Sequence, residues 1–178
     1  MIYFTADTHF DHSNIISLNG RPFKDVNQMN EKIIQNWNSC INDDDEIYVL
    51  GDFTFNGNGF DANNILKRLN GIKYLIKGNH DKFVNDESFD QKYFEWIKDY
   101  YELNYQKIKL VLFHYPILEW AGFFKDSIHL HGHVHNCSKN KEQQKRLNVL
   151  GKMAINVGVD VNNFSPISIE KIIKITGK

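Results

Sequence analysis

Three apolar runs in this chain end abruptly in a tight cluster of Asp, Asn and His. Ile2-Tyr3-Phe4-Thr5-Ala6 gives way to Asp7-Thr8-His9, Glu46-Ile47-Tyr48-Val49-Leu50 to Gly51-Asp52, and Lys73-Tyr74-Leu75-Ile76-Lys77 to Gly78-Asn79-His80-Asp81. Short runs rich in β-branched and aromatic residues read as strands buried on both faces. Packing explains the runs but not the recurring polar ends. Between them lie helical patterns. Asp25 caps a helix through about Ser39, with Val26, Met29, Ile33, Ile34, Trp37 and Ile41 as core, and Asp61 caps another through Leu69. Strands alternating with helices predict an α/β sandwich whose functional loops gather at the C-terminal ends of the strands.

The second half brings more of the same chemistry. Residues 85–99 read as a helix with Phe89, Tyr93 and Trp96 on its buried stripe, followed by an antiparallel hairpin, Tyr101 to Tyr105 and Lys107 to Phe113, that delivers His114. An aromatic loop with Trp120, Phe123 and Phe124 leads into Ile128-His129-Leu130-His131-Gly132-His133-Val134-His135. Histidines at every second position share one face of a strand, which suits a metal better than separate buried imidazoles each seeking a partner. Met153 to Val159 is a late strand, and Ser168 starts a closing helix.

Other segments carry weaker signals. Phe10 to Pro22 reads as a loop. Just before it, Asp7 and His9 read equally well as a turn, and within it Arg21 reads as a solvated surface residue or as a guanidinium fork for phosphate. Asn136 to Asn148 is polar and locally basic, an exposed loop or hairpin tip rather than a substrate-binding arm.

A chain of 178 residues that is 42% hydrophobic suffices for one domain, residues 1–178, with a substantial core. With 21 Lys and Arg against 22 Asp and Glu, no broad basic field draws it to long nucleic acids or anionic lipid. Two cysteines, Cys40 and Cys137, make no disulfide framework, and the start of the chain lacks a signal-peptide pattern, so a cytoplasmic location without membrane contact is expected. No obligatory protein partner is evident.

Collecting the strand-end groups gives Asp7, His9, Asp52, Asn79, His80, His114, His133 and His135, and all eight histidines of the chain lie at or beside them. In this order the chain resembles the calcineurin-like metallophosphoesterase superfamily, whose pattern is D-x-H, G-D, G-N-H-D/E, a single His and G-H-x-H. Here the five blocks are Asp7-Thr8-His9, Gly51-Asp52, Gly78-Asn79-His80-Asp81, His114 and Gly132-His133-Val134-His135, spread over residues 1 to about 160. Phe10-Asp11-His12-Ser13-Asn14-Ile15-Ile16, Arg21-Pro22-Phe23 and Asn36-Trp37-Asn38 look like the small phage-type and bacterial branch.

The resemblance implies a four-layer α/β/β/α sandwich of two mixed sheets flanked by helices. It implies two divalent ions, one held by Asp7, His9, Asp52 and His135 and the other by Asp52, Asn79, His114 and His133. Ions about 3.5 to 4 Å apart clamp a phosphoryl group and share a bridging hydroxide as nucleophile. Mixed carboxylate, amide and imidazole ligands suit Mn²⁺ foremost, then Fe²⁺, Ni²⁺, Co²⁺ or Zn²⁺. His80 is implied as the group beside the leaving oxygen, with His12 and Arg21 as candidate substrate contacts and Asp81 and His131 as supports. Where several members carry a second Asp to orient that His, this chain has Phe55, which leaves Asp81 or a backbone carbonyl to do so. Trp120, Phe123 and Phe124 are candidates to wall the site or stack a base.

The expected function is hydrolysis of phosphodiesters, the substrate a small phosphate ester such as a nucleotide or short oligonucleotide. A phosphomonoesterase is the nearest alternative. A non-catalytic protein-binding scaffold is the other, disfavoured because every ligand position is kept.

Overall fold

The computed structural model describes residues 1–55, 58–136 and 141–178. In chain order its strands are β1 (Ile2–Thr5), β2 (Glu46–Leu50), β3 (Ile72–Ile76), β4 (Ile97–Lys98), β5 (Tyr100–Tyr105), β6 (Ile108–Phe113), β7 (Ile128–His131), β8 (Ala154–Asn156) and β9 (Ile167–Ser168). Its helices are α1 (Ser13–Asn19), α2 (Val26–Cys40), α3 (Gly59–Leu66), α4 (Lys141–Asn148) and α5 (Ile169–Thr176). Among the described residues no helix is long and apolar enough to cross a membrane.

The strands form two mixed sheets flanked by helices. One has the order β4-β3-β2-β1-β9, parallel except for β9, and the other β5-β6-β7-β8, parallel except for the β5-β6 hairpin. Alternation along each strand builds two cores at once. Ile47, Val49 and Leu75 face Met29, Ile33, Trp37, Ile65 and Leu66 of the helices. Their neighbours Tyr48, Leu50 and Ile76 face Leu110, Leu112, Ile128 and Leu130 of the second sheet, and Ile169 and Ile172 of α5 join that layer. Trp37 is fully buried and its indole N–H donates to the Asn70 carbonyl at 3.0 Å, so the helix is anchored by its largest side chain without an unpaired donor.

Asp25 caps α2 as expected, accepting from the Gln28 N–H at 2.8 Å, and Ser168 caps α5 in the same way through Lys171. Elsewhere local chemistry overrode the pattern. The segment read as a helix over residues 85–99 holds the end of one 3-10 turn, a second over Gln91–Tyr93, and β4. Asp86 accepts from the N–H and hydroxyl of Ser88, Asp90 accepts from the Lys92 N–H, and Asn63 bonds both the Ser88 carbonyl and the Asp90 N–H. Side chains that offer the backbone these partners compete with a helical ladder. The cap of α3 is Asn58, not Asp61, which sits in the first turn. The first loop contains α1, ended by Gly20 in the left-handed conformation, and the polar stretch after residue 136 contains α4. Cys137 lies outside the described residues.

The four alternating histidines do not share a face. β7 ends at His131, and His129 and His131 point away from the inter-sheet core that Ile128 and Leu130 enter. His133 and His135 lie beyond the strand, both with positive φ, and turn toward the ends of β1 and β2. A two-residue period persists only while the backbone stays extended.

Candidate metal centre

Of the strand-end groups flagged in the sequence, Asp7, His9, Asp52 and His114 are buried while Asn79, His80, His133 and His135 keep some contact with solvent, and the loops carrying them are laced together by backbone bonds. Asp7 N–H donates to the Gly51 carbonyl and His9 N–H to the Asp52 carbonyl, both at 3.0 Å. Two donor groups result. One oxygen or ring nitrogen each from Asp7, His9 and His135 lie within 4.8 Å of one another, and so do atoms of Asp52, His114 and His133. Asp52 Oδ2 sits between the groups, 3.6 Å from His9 Nε2 and 3.5 Å from His114 Nε2.

Proton accounting decides what this convergence can hold. His114 Nδ1 lies 2.8 Å from the Leu50 carbonyl, an obligatory acceptor, so Nδ1 carries the proton and Nε2 a lone pair. That lone pair faces Asn79 Oδ1 at 3.2 Å and Asp52 Oδ2 at 3.5 Å, acceptors both. Both ring nitrogens of His9 are buried with no hydrogen-bond partner. Burial holds the pKa values of His9, His114 and His133 below the ordinary imidazole value, so the rings stay neutral rather than pairing as cations. Burial also pushes Asp7 up to about 7, a rise only partly offset by His135 and by the His133 N–H donating to both its oxygens at 3.0 and 2.9 Å. A His114 lone pair aimed at two acceptors, beside a buried His9 ring with no partner at either nitrogen, suits a cation among these groups, and the donor set fits divalent ions.

The backbone is bent to make this possible. Asp7, His9, Asp52, His133 and His135 have φ of 56°, 49°, 54°, 70° and 45°, the left-handed region. Such outliers cluster at functional sites, and Asp and His are among the side chains that tolerate them. Close approach does the rest. A Cβ on Gly78 would lie 2.3 Å from Asp52 Oδ1, and one on Gly132 would lie 2.7 Å from Asp7 Oδ2.

Around this core the candidate residues fall unevenly. The half-buried His80 donates its backbone N–H to Asp52 Oδ1 at 2.9 Å, and its ring lies 5.5 Å from that of His9 and 5.1 Å from Phe55. His12 stacks flat on Phe55, centroids 3.7 Å apart, and its buried Nδ1 has no partner. Asp81 does not orient the His80 ring. Its carboxylate, pushed up to about 7 by burial, accepts from the N–H groups of Asp52, Phe53 and Gly78 at 2.9, 2.7 and 2.8 Å and so staples the two loops together. His131 turns back to the Gly132 carbonyl at 3.0 Å, and His129 sits between the Val111 and Tyr115 carbonyls.

Two expectations for substrate contact fail. Arg21 cannot grip a phosphate, because it is buried and its donors are committed to Asp160, the Asp7 and Thr8 carbonyls and Met29 Sδ. Trp120, Phe123 and Phe124 neither wall the site nor wait for a base there. They line a cavity of about 570 Å³ with Lys107, Lys109 and Ser127, at the N-terminal ends of β6 and β7, whereas His114 and His133 follow the C-terminal ends. Asp160 was missed. It accepts from His135 Nδ1 at 2.8 Å and follows Gly158-Val159 after β8, the same pattern of a strand running into a polar end that marked the other loops.

The chain matches the family model described as calcineurin-like phosphoesterase over residues 1–150. It is 36% identical over 178 residues to the uncharacterized protein MJ1445 of Methanocaldococcus jannaschii, covering 99% of this chain and 92% of that protein. The crystal structure of AQ665 from Aquifex aeolicus, a protein of unknown function, superposes with a TM-score of 0.75 at 33% identity, covering 98% of each chain.

Proposed function

Because the chain belongs to the calcineurin-like phosphoesterase family, we propose that it hydrolyses phosphodiesters with the help of two divalent ions, one held by Asp7, His9, Asp52 and His135, the other by Asp52, Asn79, His114 and His133. The observation that carries this reading is Asp52 Oδ2, placed within 3.6 Å of a ring nitrogen from each donor group, where one carboxylate could serve both ions. When bound, such ions neutralise the charge of a phosphoryl group and lower the barrier to its attack by water. Mn²⁺ is the proposed ion, since the ligands are oxygens and imidazoles with no thiolate to favour Zn²⁺.

The protein's own part is positioning and proton transfer. His80, anchored by its backbone to Asp52 Oδ1, stands at the open side of the site as the proton donor to the departing oxygen. Its ring neighbours are Phe55 and His9 rather than a carboxylate, which makes it a poorly supported acid. Good leaving groups need little protonation, so activated diesters are favoured over unactivated monoesters.

The test is hydrolysis of bis-p-nitrophenyl phosphate and of alkyl monoesters by metal-stripped protein, with Mn²⁺, Ni²⁺, Zn²⁺ or Mg²⁺ restored and Asp52→Asn as control. Metal-dependent diester cleavage lost in Asp52→Asn is expected. A preference for unactivated monoesters would refute the diester assignment, and silence with every ion would refute the enzyme reading.

A further inference from the structure

We infer that Asp160, locked in place by Arg21, is a positioning residue that fixes the ring of His135 with its proton on Nδ1 and its Nε2 lone pair toward Asp7 and His9, and so sets the affinity of one ion and not of the other. The inference rests on the metal centre proposed above.

Arg21 and Asp160 form a buried bidentate pair, Nε to Oδ1 at 2.9 Å and Nη2 to Oδ2 at 2.8 Å, with side-chain exposures of 0% and 4%. Buried ion pairs are weak stabilisers, often no better than apolar replacements, so stability alone is a poor reason for this one. Its third member supplies a better reason. Asp160 Oδ2 also accepts from His135 Nδ1 at 2.8 Å. A carboxylate there fixes the tautomer, restrains ring rotation and makes the opposite nitrogen a stronger donor.

The same guanidinium also holds the other side of that donor group. Nη2 donates to the Asp7 carbonyl at 2.7 Å and Nη1 to the Thr8 carbonyl at 3.0 Å, so a single rigid fork indexes the Asp7 loop against His135 across 114 residues of sequence, from 21 to 135. The backbone of His135 is fixed independently, its carbonyl accepting from Asn156 Nδ2 at 3.0 Å.

The second donor group is oriented differently. His114 is aimed by the Leu50 carbonyl, a main-chain acceptor that no side-chain substitution removes. The asymmetry yields a selective test.

Mn²⁺ binding is followed by titration calorimetry in wild type, Asp160→Asn, His135→Ala and the double variant. Wild type is expected to take up two ions. Asp160→Asn weakens one by about 10- to 100-fold and leaves the other within about twofold. In the His135→Ala background Asp160→Asn adds nothing, because the ring through which it acts is gone. Equal weakening of both ions, or a further loss in that background, would show Asp160 to be general scaffolding and overturn the inference. Nitrogen NMR of Zn²⁺-loaded wild type gives an answer without any variant: a proton on His135 Nδ1 and a coordinated Nε2 are expected, and the reverse overturns the assignment. Wild type that binds no ion refutes the metal centre itself. Two ions bound normally by both wild type and Asp160→Asn refute only the role of Asp160.

Discussion

Substituting Gly78 by Ala tests whether the close approach of two loops, rather than the ligands alone, makes the site. The added Cβ would lie 2.3 Å from Asp52 Oδ1 and 2.5 Å from Asp52 N. Since real Cβ contacts essentially never fall under 3.0 Å, clearing the main-chain nitrogen alone requires the loops to part by about 0.5 Å or more. One of the two obstructing atoms is main chain, so no rotamer change relieves the clash. Parting the loops strains the Asp81 staple, whose Oδ2 accepts from Gly78 N–H at 2.8 Å and Asp52 N–H at 2.9 Å together. Overpacking of this kind costs about 1–3 kcal/mol, which for a chain of this size lowers Tm by roughly 2–12 °C. Asp52 moves with the loop, and disturbing what positions a ligand weakens metal binding about 10- to 100-fold. Differential scanning calorimetry of the metal-free protein and Mn²⁺ titration measure the two effects separately. A Gly78→Ala protein that melts with wild type and binds both ions normally would refute the argument.

Phe55→Asp should restore a carboxylate beside His80 and raise activity on alkyl esters relative to p-nitrophenyl esters; an unchanged ratio would mean that Phe55 is not what limits the acid. Arg21→Met strands the buried Asp160 carboxylate and should cost about 3–5 kcal/mol in urea unfolding of the metal-free protein, and a loss below about 1 kcal/mol would show that the pair is dispensable. Ion binding should release protons at pH 6, because burial pushes Asp7 up to about 7 and because Asp160 and Asp7 outweigh burial to hold the His135 imidazole above its ordinary range, whereas at pH 8 the release should be smaller. Titration calorimetry in buffers of different ionisation heat reads the proton count, and equal release at both pH values would contradict the protonation of Asp7.

Much of this site was legible because its residues sit where strands stop. Asp7, Asp52, Asn79 and His114 each follow an apolar run, so their meeting was implied once the runs were read as strands of adjacent sheets. What was not legible depended on the conformation of single residues. His133 and His135 reach the site by leaving the strand with φ of 70° and 45°, which no alternation pattern reveals. Arg21 and Asp160 are polar, far apart in sequence and individually unremarkable, and only their distance of 2.8 Å shows that the guanidinium is structural. The residue 85–99 segment misled because Phe89, Tyr93 and Trp96 have helical spacing, while Asp86, Ser88 and Asp90 around the first of them close local turns.

The left-handed backbone at Asp7, His9, Asp52, His133 and His135 reaches beyond chemistry, to how long the molecule lasts. Such residues cost of order 1 kcal/mol or more each, and five together rival the 5–15 kcal/mol by which an ordinary protein stays folded. A ligand at 100 times its Kd returns about 2.7 kcal/mol to the folded state. Since small changes in folding free energy shift the fraction offered to cellular proteases, starving a cell of the ion should shorten the half-life of the protein and deplete the molecule itself. A pulse-chase comparison of metal-replete and chelated cultures would register that without any assay of activity.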